Sequence, residues 1–526
     1  MVDSQRRLLI IFLIFSGLFV IIILRLLNLQ VLHGREIKER SRDQRTRIIQ
    51  LAARRGDIFD CNGKLLATSL DTYSVYQLRQ GWLARKLSLA EAQKLVAVNP
   101  KQFSLLKEKK RVYPHDNLAS QIIGFVGSDN QGLSGVELSF DEYLRGKEGR
   151  VITEGDPTGR ELYGAARELE PGNDGWDLTL TIDENIQYIA EREISRQMKT
   201  SKARQGICLV MDLNNGDILA LASKPDFDPN KYAQSPVSSW HPYFIDPYEP
   251  GSTFKTITVA AGLASGVINP DSKLQAQDKL EIGGKVIENS HKILWPGKQY
   301  SLSFMLEQSI NTGAAQIGIK MGPERFYQQL TNLGLGESTR IGLRGESRGI
   351  LRHWRDWHKP DIAMITFGQS IAVTPLQLIS AISPFATGGE QVEPVLIKEI
   401  KSADGQFIKS FSPPKKKVLS QDVADELKKM MHNVVLYGSG KRSSIEAFGV
   451  AGKTGTAQKV GGGGYLKNRF ISSYVGFAPL NKPRIIALVI IDEPQDTIWG
   501  ERVAAPVWRE VVYYTLRYLN VKPDMI

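Results

Sequence analysis

The stretch Tyr248-Glu249-Pro250-Gly251-Ser252-Thr253-Phe254-Lys255 decides the fold, because it sets a serine and a lysine one helical turn apart. A serine hydroxyl becomes a good nucleophile only when a nearby base takes its proton. A lysine three residues later on a helix faces the same side. Pro250 and Gly251 end a loop, and Thr253–Leu263 continues as an apolar helix whose N-terminal dipole favours developing negative charge. Desolvated among apolar neighbours, Lys255 has its pKa lowered toward a value useful for a base.

The Ser-x-x-Lys spacing is weak by itself, since composition alone predicts roughly two copies in a chain of this size. Three are present. Ser104/Lys107 lies in the charged segment Lys101–Arg111, which reads as a solvated face, with Lys107–Arg111 as a turn. Ser412/Lys415 encloses Pro413-Pro414, which prevents a regular helical turn. Only Ser252/Lys255 has the required setting. Downstream, Ser309-Ile310-Asn311 offers a hydroxyl that relays a proton and an amide that holds a peptide group. A rival, Ser128-Asp129-Asn130, precedes Ser252. Lys453-Thr454-Gly455-Thr456 supplies a cation and hydroxyls suited to a substrate carboxylate, with Gly455 allowing close backbone approach. Ala447–Thr454 also reads A-x-x-x-x-G-K-T, a relaxed phosphate-binding loop. That loop needs its lysine at a helix start, whereas strand-like Gly455–Val460 and the flexible loop Gly461–Gly464 follow.

Working outward, Leu178–Ile182 reads as a strand, and Asp183 as the N-cap of a helix running through Ile194. Ile207–Leu213 and Asp217–Ala222 form a hairpin around Asn214-Asn215-Gly216. Ile471–Ala478 and Arg484–Ile491 are apolar strands. Leu302–Lys320, Pro375–Ala386 and Gln421–Leu436 carry helical periodicity. Strands at both ends with helices between them imply a sheet assembled from distant segments. Before Gly172 the texture is that of a separate mixed domain: Arg54–Ala67 with a turn at Asn62-Gly63, a helix at Leu87–Val98, and Gly132–Glu137 leading into Tyr143–Gly146. The Arg55-Gly56-Asp57 triplet occurs by chance too often to support an adhesion role.

The chain has 526 residues, enough for two or three domains, with 42% apolar and 23% charged residues in the globular range. Cys61 and Cys208 are the two cysteines, Cys208 in the apolar run Ile207–Met211 that marks it as core. No cluster has metal-ligand spacing, so neither metal nor cofactor is expected. The formal charge of +11 suits an anionic partner, but no nucleic-acid motif accompanies it, which leaves a basic surface near a membrane. Leu8–Leu24 is an uncharged run of 17 residues after Arg6-Arg7. As a helix it spans about 25 Å, and extension to Leu32 lets it cross a bilayer. Arg25 then snorkels, and no small-x-small cleavage site follows, so an uncleaved anchor is expected. Leu29–Gln50 is a polar, helix-compatible stalk. Arg35, Lys38, Arg40, Arg42, Arg45 and Arg47 crowd its flank, and by charge alone would keep the large domain cytoplasmic. That rule is weakest for long translocated domains, so the chemistry decides orientation.

The ordered set Ser252/Lys255, Ser309/Asn311 and Lys453-Thr454-Gly455 resembles the signature of penicillin-recognising acyl enzymes. With Tyr248–Lys255, Gly368-Gln369-Ser370 followed by Val373-Thr374-Pro375-Leu376-Gln377, Arg55–Ala67 and Gly132–Gly146, the chain resembles class B penicillin-binding proteins as far as Ala504-Ala505-Pro506-Val507. It departs at Cys61, where the family often has a basic residue, and in a short pedestal between residues 71 and 115. The resemblance implies an α/β (α+β) transpeptidase fold with a central antiparallel sheet flanked by helices, an elongated α+β pedestal and one transmembrane helix. The expected boundaries are a cytoplasmic tail 1–7, an anchor 8–28, a dimerisation-type pedestal 29–171 and a transpeptidase domain 172–526. Ser252 would attack the penultimate D-alanine carbonyl of a peptidoglycan stem peptide with Lys255 as base. Backbone N–H groups of Ser252 and Thr456 would form the oxyanion hole. Ser309 would pass a proton to the departing D-alanine, Asn311 would hold the peptide, and Lys453, Thr454, Gly455 and Thr456 would bind the carboxylate end.

β-Lactams would acylate the same serine. The implied location is the bacterial cytoplasmic membrane, single-pass, with the catalytic domain on the outer side. The implied partners are a polytopic glycosyltransferase and division or elongation proteins. Asn311-Thr312-Gly313-Ala314-Ala315 resembles division-type members, whereas elongation-type members commonly place Asp at the Asn311 position. The competing enzymatic reading is a β-lactamase or D,D-carboxypeptidase, which rarely needs an anchor and a pedestal of about 140 residues. A non-catalytic β-lactam sensor or division scaffold would not require the complete catalytic set.

Overall fold

In a computed structural model describing residues 2–77, 80–100, 102–155, 168–293, 297–412, 415–461 and 464–525, the strand Ile485–Asp492, apolar as far as Ile491, is the middle strand of a five-stranded antiparallel sheet. Pro413-Pro414 and the glycines 462–463 read as loop lie outside the described residues. The strand order is Ile218–Lys224, Gln205–Asp212, Ile485–Asp492, Gly464–Ala478, Ala451–Gly461. Side chains alternate along a strand, so the run feeds two cores. Ile485, Ala487, Val489 and Ile491 meet the helices Glu184–Ser201 and Ala505–Tyr518, where Trp508 donates its indole N–H to Ala487 O at 2.9 Å. Ile486, Leu488 and Ile490 face a larger core that includes Phe254 and Ile257 of the helix Phe254–Ala264. Cys208 lies wholly buried in the first of these cores.

Asp183 caps its helix by accepting from Asn185 N and Ile186 N, and that helix runs on to Ser201. Pro375–Ala386 begins at a capping box between Thr374 and Gln377. Lys107–Arg111 is not a solvated turn: Phe103–Val112 is a strand paired with Leu65–Gln77. Its charges are matched across the sheet, Lys107 and Lys109 reaching Asp71 at 2.7 and 2.5 Å. Leu302–Lys320 is two helices, Leu302–Glu307 and Asn311–Met321, with a break at Gln308–Ile310.

Backbone packing divides the chain into two units. One comprises residues 1–54 and 146–174. In it the apolar helix Val2–Leu27 supplies most of a continuous span Asp3–Leu32 long enough to cross a membrane, and the helix Gly34–Arg45 follows. The expected helical stalk ends there, because Thr46–Leu51 is a strand paired with Gly149–Glu154. The other unit holds residues 55–145 and 175–526, so much of the segment expected as pedestal packs with the transpeptidase sheet's unit.

Within that unit Arg55 is internal, which removes the adhesion triplet from the surface. Arg55 Nε and Arg111 Nε each reach one oxygen of the buried Glu137 at 2.6 Å, and Arg55 Nη1 reaches Asp141 at 2.6 Å. Arg55 Nη2 also donates to Glu137 O at 2.7 Å, and Arg111 Nη1 to Gly56 O at 2.7 Å. The Arg55–Gly56 and Gly132–Glu137 stretches are thus two halves of one ion network. Glu137→Ala would strand two buried guanidiniums. It should destabilise the unit by about 3–5 kcal/mol, read as a lower denaturation midpoint; an unchanged midpoint would refute the network's role.

Candidate active site

Ser252 stands in the tight turn Gly251–Thr253, which runs directly into Phe254–Ala264. Lys255, in the first turn of that helix, has no exposed surface. Its Nζ lies 2.9 Å from Ser252 Oγ, and it donates to Ser309 O at 2.6 Å and to Ser309 Oγ at 3.1 Å. Lys453 Nζ reaches the same Ser309 hydroxyl at 3.1 Å. Among the described residues neither lysine pairs with a carboxylate. Burial and then the neighbouring charge of Lys453 hold the Lys255 pKa well below the usual lysine range. Burial alone lowers that of Lys453 to about 7.

The helix break explains how Ser309 gets there. Ser309 has φ +54, with its N–H on Leu306 O at 3.3 Å and Ile310 N–H on Met305 O at 3.0 Å. This is a Schellman stop, in which the left-handed residue is ordinarily glycine. Serine carries a backbone penalty there. It also places a hydroxyl between two lysines, which glycine cannot do. Asn311 opens the next helix, and its amide donates to Glu288 O at 2.8 Å.

Lys453–Thr456 lies in Ala451–Gly461, the edge strand of the sheet. Lys453 is mid-strand, which excludes the phosphate-loop reading. Gly455 permits the close approach: a Cβ there would sit 2.3 Å from Ser473 Oγ and 2.9 Å from Pro250 O. Thr454 Oγ1 pairs with Ser439 Oγ at 2.8 Å, and Thr456 Oγ1 accepts from Gly500 N at 3.2 Å. Ser252, Ser309, Asn311, Thr454 and Thr456 all line one cleft of about 540 Å³.

The rival motifs lie elsewhere. Ser104 and Lys107 are three apart on a strand and so on opposite faces. Asp129 is paired with Arg85 at 2.7 Å. Burial pushes the Cys61 thiol up to about 12, and Cys208 higher still, so neither is a thiolate nucleophile at neutral pH.

Sequence reasoning gave Gly368-Gln369-Ser370 no role. The structure folds this string against the Ser252 turn: Gly251 N–H donates to Gly368 O at 3.1 Å, and Tyr248 and Val373 exchange bonds of 3.0 and 2.9 Å. Ser439 and Trp499, two further cleft residues, carried no sequence signal because tertiary packing alone brings them to the cleft.

A serine hydroxyl in contact with a buried lysine, flanked by hydroxyls and an edge strand, is an arrangement suited to serine acyl transfer. A family model described as the penicillin binding protein transpeptidase domain matches residues 206–513, and one described as the penicillin-binding protein dimerisation domain matches residues 83–180. The chain belongs to the penicillin-binding protein transpeptidase family. Stage V sporulation protein D of Bacillus subtilis is 32% identical over 99% of this chain and 87% of its own length. Peptidoglycan D,D-transpeptidase FtsI of Escherichia coli is 30% identical over 85% of this chain and 73% of its own. The crystal structure of penicillin binding protein 3 from Mycobacterium tuberculosis complexed with aztreonam superposes with a TM-score of 0.76 at 25% identity, covering 90% of this chain and 98% of that one. The chain is accordingly a serine-type peptidoglycan D,D-transpeptidase, a membrane-anchored member of the peptidoglycan-synthesis machinery.

Gly368 has φ +75, and a Cβ there would lie 2.4 Å from Gly251 O. Gly368→Ala should therefore slow acylation by fluorescent penicillin by roughly tenfold to a hundredfold. Gly405→Ala, with φ +83 but open space around it, should leave the rate unchanged. Equal rates for both variants would refute the bracing role of Gly368.

Proposed function

We propose that Ser252 is the acylated residue and that Lys255 is its base, carried by the 2.9 Å contact between Ser252 Oγ and a wholly buried, carboxylate-free lysine. The neutral amine accepts the Ser252 proton as Oγ attacks the penultimate D-alanine carbonyl of a stem peptide. The oxyanion forms between the backbone N–H groups of Ser252 and Thr456. Collapse expels D-alanine, whose amine takes a proton relayed through the Ser309 hydroxyl, and leaves an ester on Ser252. Lys453, Thr454 and Gly455 receive the donor's terminal carboxylate, and Asn311 holds its peptide amide. An amine of a neighbouring stem then attacks the ester, forming the cross-link and freeing Ser252. A β-lactam enters the first half of this cycle.

Around this centre, residues 8–28 serve as the single membrane span, with 1–7 in the cytoplasm and the catalytic domain 172–526 outside. Residues 29–171 serve as the pedestal that engages a polytopic glycosyltransferase. The span Asp3–Leu32 supports a single crossing, and the extracellular location of peptidoglycan supports the orientation. Asn311 and the phrase that follows it support work in the division septum; depletion should then produce filaments, and rounded cells would overturn it. The similarity to a sporulation protein over 99% of the chain supports a second setting, sporulation, in which depletion would leave vegetative cells unaffected and block sporulation.

Ser252→Ala should abolish fluorescent penicillin labelling, and retained labelling would sink the assignment. Lys453 sheds its proton as pH rises through about 7, so it loses the charge that attracts a carboxylate. The second-order acylation rate for a carboxylate-bearing β-lactam should therefore decline on the alkaline side. Lys453→Arg, always charged, should lose that decline whatever its absolute rate. A decline of the same shape in both proteins would exclude Lys453 as its source.

A further inference from the structure

Glu249 is a half-buried carboxylate two residues ahead of Gly251-Ser252, with no place in the reaction cycle above. Its Oε1 accepts from Ser370 N–H at 3.0 Å and from Tyr465 O–H at 3.4 Å, while Oε2 is buried without a hydrogen-bond partner. The three residues come from three separate pieces of the site. Glu249 belongs to the segment that presents Ser252. Ser370, held at φ +58, closes the loop whose Phe367 and Gln369 line the cleft. Tyr465 begins the strand Gly464–Ala478, which pairs with the Lys453–Thr456 strand. The charged neighbours are Lys285, whose Nζ lies 5.9 Å from the Tyr465 ring centroid, and Asp361.

We propose that Glu249 is a positioning residue for acylation: its ionised carboxylate clamps the nucleophile's turn to the Gly368–Ser370 loop and to the Tyr465 hairpin, so that Ser252 Oγ stays on Lys255. This rests on Ser252 being the nucleophile. Hydrogen bonds to an ionised acceptor are roughly twice as strong as neutral ones, so protonation loosens both arms of the clamp at once.

The same carboxylate is a poor stabilising device. Burial raises its pKa to about 6, and the bonds from Ser370 and Tyr465 and the charge of Lys285 offset only part of that. A carboxyl whose folded pKa lies above its unfolded value burdens the folded state above that pKa, and the burden is relieved as pH falls through about 6. A residue retained for stability alone would be better uncharged. Activity and stability should consequently separate on removing the charge.

The test uses the full-length chain in detergent, measuring the acylation rate by fluorescent penicillin and the thermal midpoint for wild type, Glu249→Gln, Tyr465→Phe and Ser252→Ala. At about pH 7.5, Glu249→Gln should acylate about fivefold more slowly while its midpoint is unchanged or higher. The wild-type to variant rate ratio should fall toward one below about pH 6, where wild-type Glu249 is itself neutral. Taking the ratio cancels the titrations of Lys255 and Lys453. Tyr465→Phe, which removes one arm, should be slowed about twofold, and carries the test if Glu249→Gln fails to fold. Unaltered rates, or slower rates with a lowered midpoint and a ratio constant with pH, would overturn the proposal. Labelling of Ser252→Ala would instead overturn the nucleophile on which it rests.

Discussion

Lys255 Nζ is surrounded by Ser252 Oγ, Ser309 O and Ser309 Oγ, with no carboxylate among them, and the helix it sits on closes off water. An ammonium in such a place costs several kcal/mol, which neutralisation avoids. The lone pair so released faces the hydroxyl that needs a base. Every other feature of the cleft is compatible with that one constraint. The partners of Lys255 are hydroxyl and carbonyl oxygens, and the second lysine that shares Ser309 adds to the pressure for neutrality instead of relieving it.

The buried charges far from the cleft follow the opposite rule. Arg55 and Arg111 are buried like the lysines, yet each is held within 2.6 Å of Glu137, with further donors going to Asp141 and to the carbonyls of Glu137 and Gly56. Guanidinium cannot escape burial by losing its proton, so it must be paired. Lysine can, so it need not be. One chain therefore uses burial in two ways: paired charges at fixed junctions, Lys224 between Glu191 and Asp226 among them, and carboxylate-free lysines at the cleft.

Local patterns made much of this legible. Ser252 and Lys255 are joined by helical spacing alone, and Ile485–Ile491 reads as apolar throughout because both of its faces are covered. The break at Ser309 was not legible, since a Schellman stop is recognised by its glycine and here the side chain is the point of the residue. Phe103–Val112 was hidden for a related reason. Its lysines are balanced by Asp71 on the neighbouring strand and its Arg111 by Glu137, partners that no short window contains. In both cases a residue chosen for a distant contact overrode the local signal.

The same logic bears on why the serine's turn is so heavily tied. Ser252 precedes the regular helix, in a turn whose geometry no ladder of helical bonds fixes. Its position is therefore set from outside, by Gly368 O on Gly251 N–H, by the Tyr248–Val373 pair, and by the close fit of Gly455 beneath Pro250. Two of these contacts leave no room for a Cβ, so they admit little adjustment. A nucleophile must hold its place against the thrust of forming and breaking a bond to carbon, and positional error of about 1 Å is costly. Rigid backbone contacts on a turn, joined to a lysine on a rigid helix, meet that demand for the proposed nucleophile while leaving the open edge of the sheet free to receive an extended peptide.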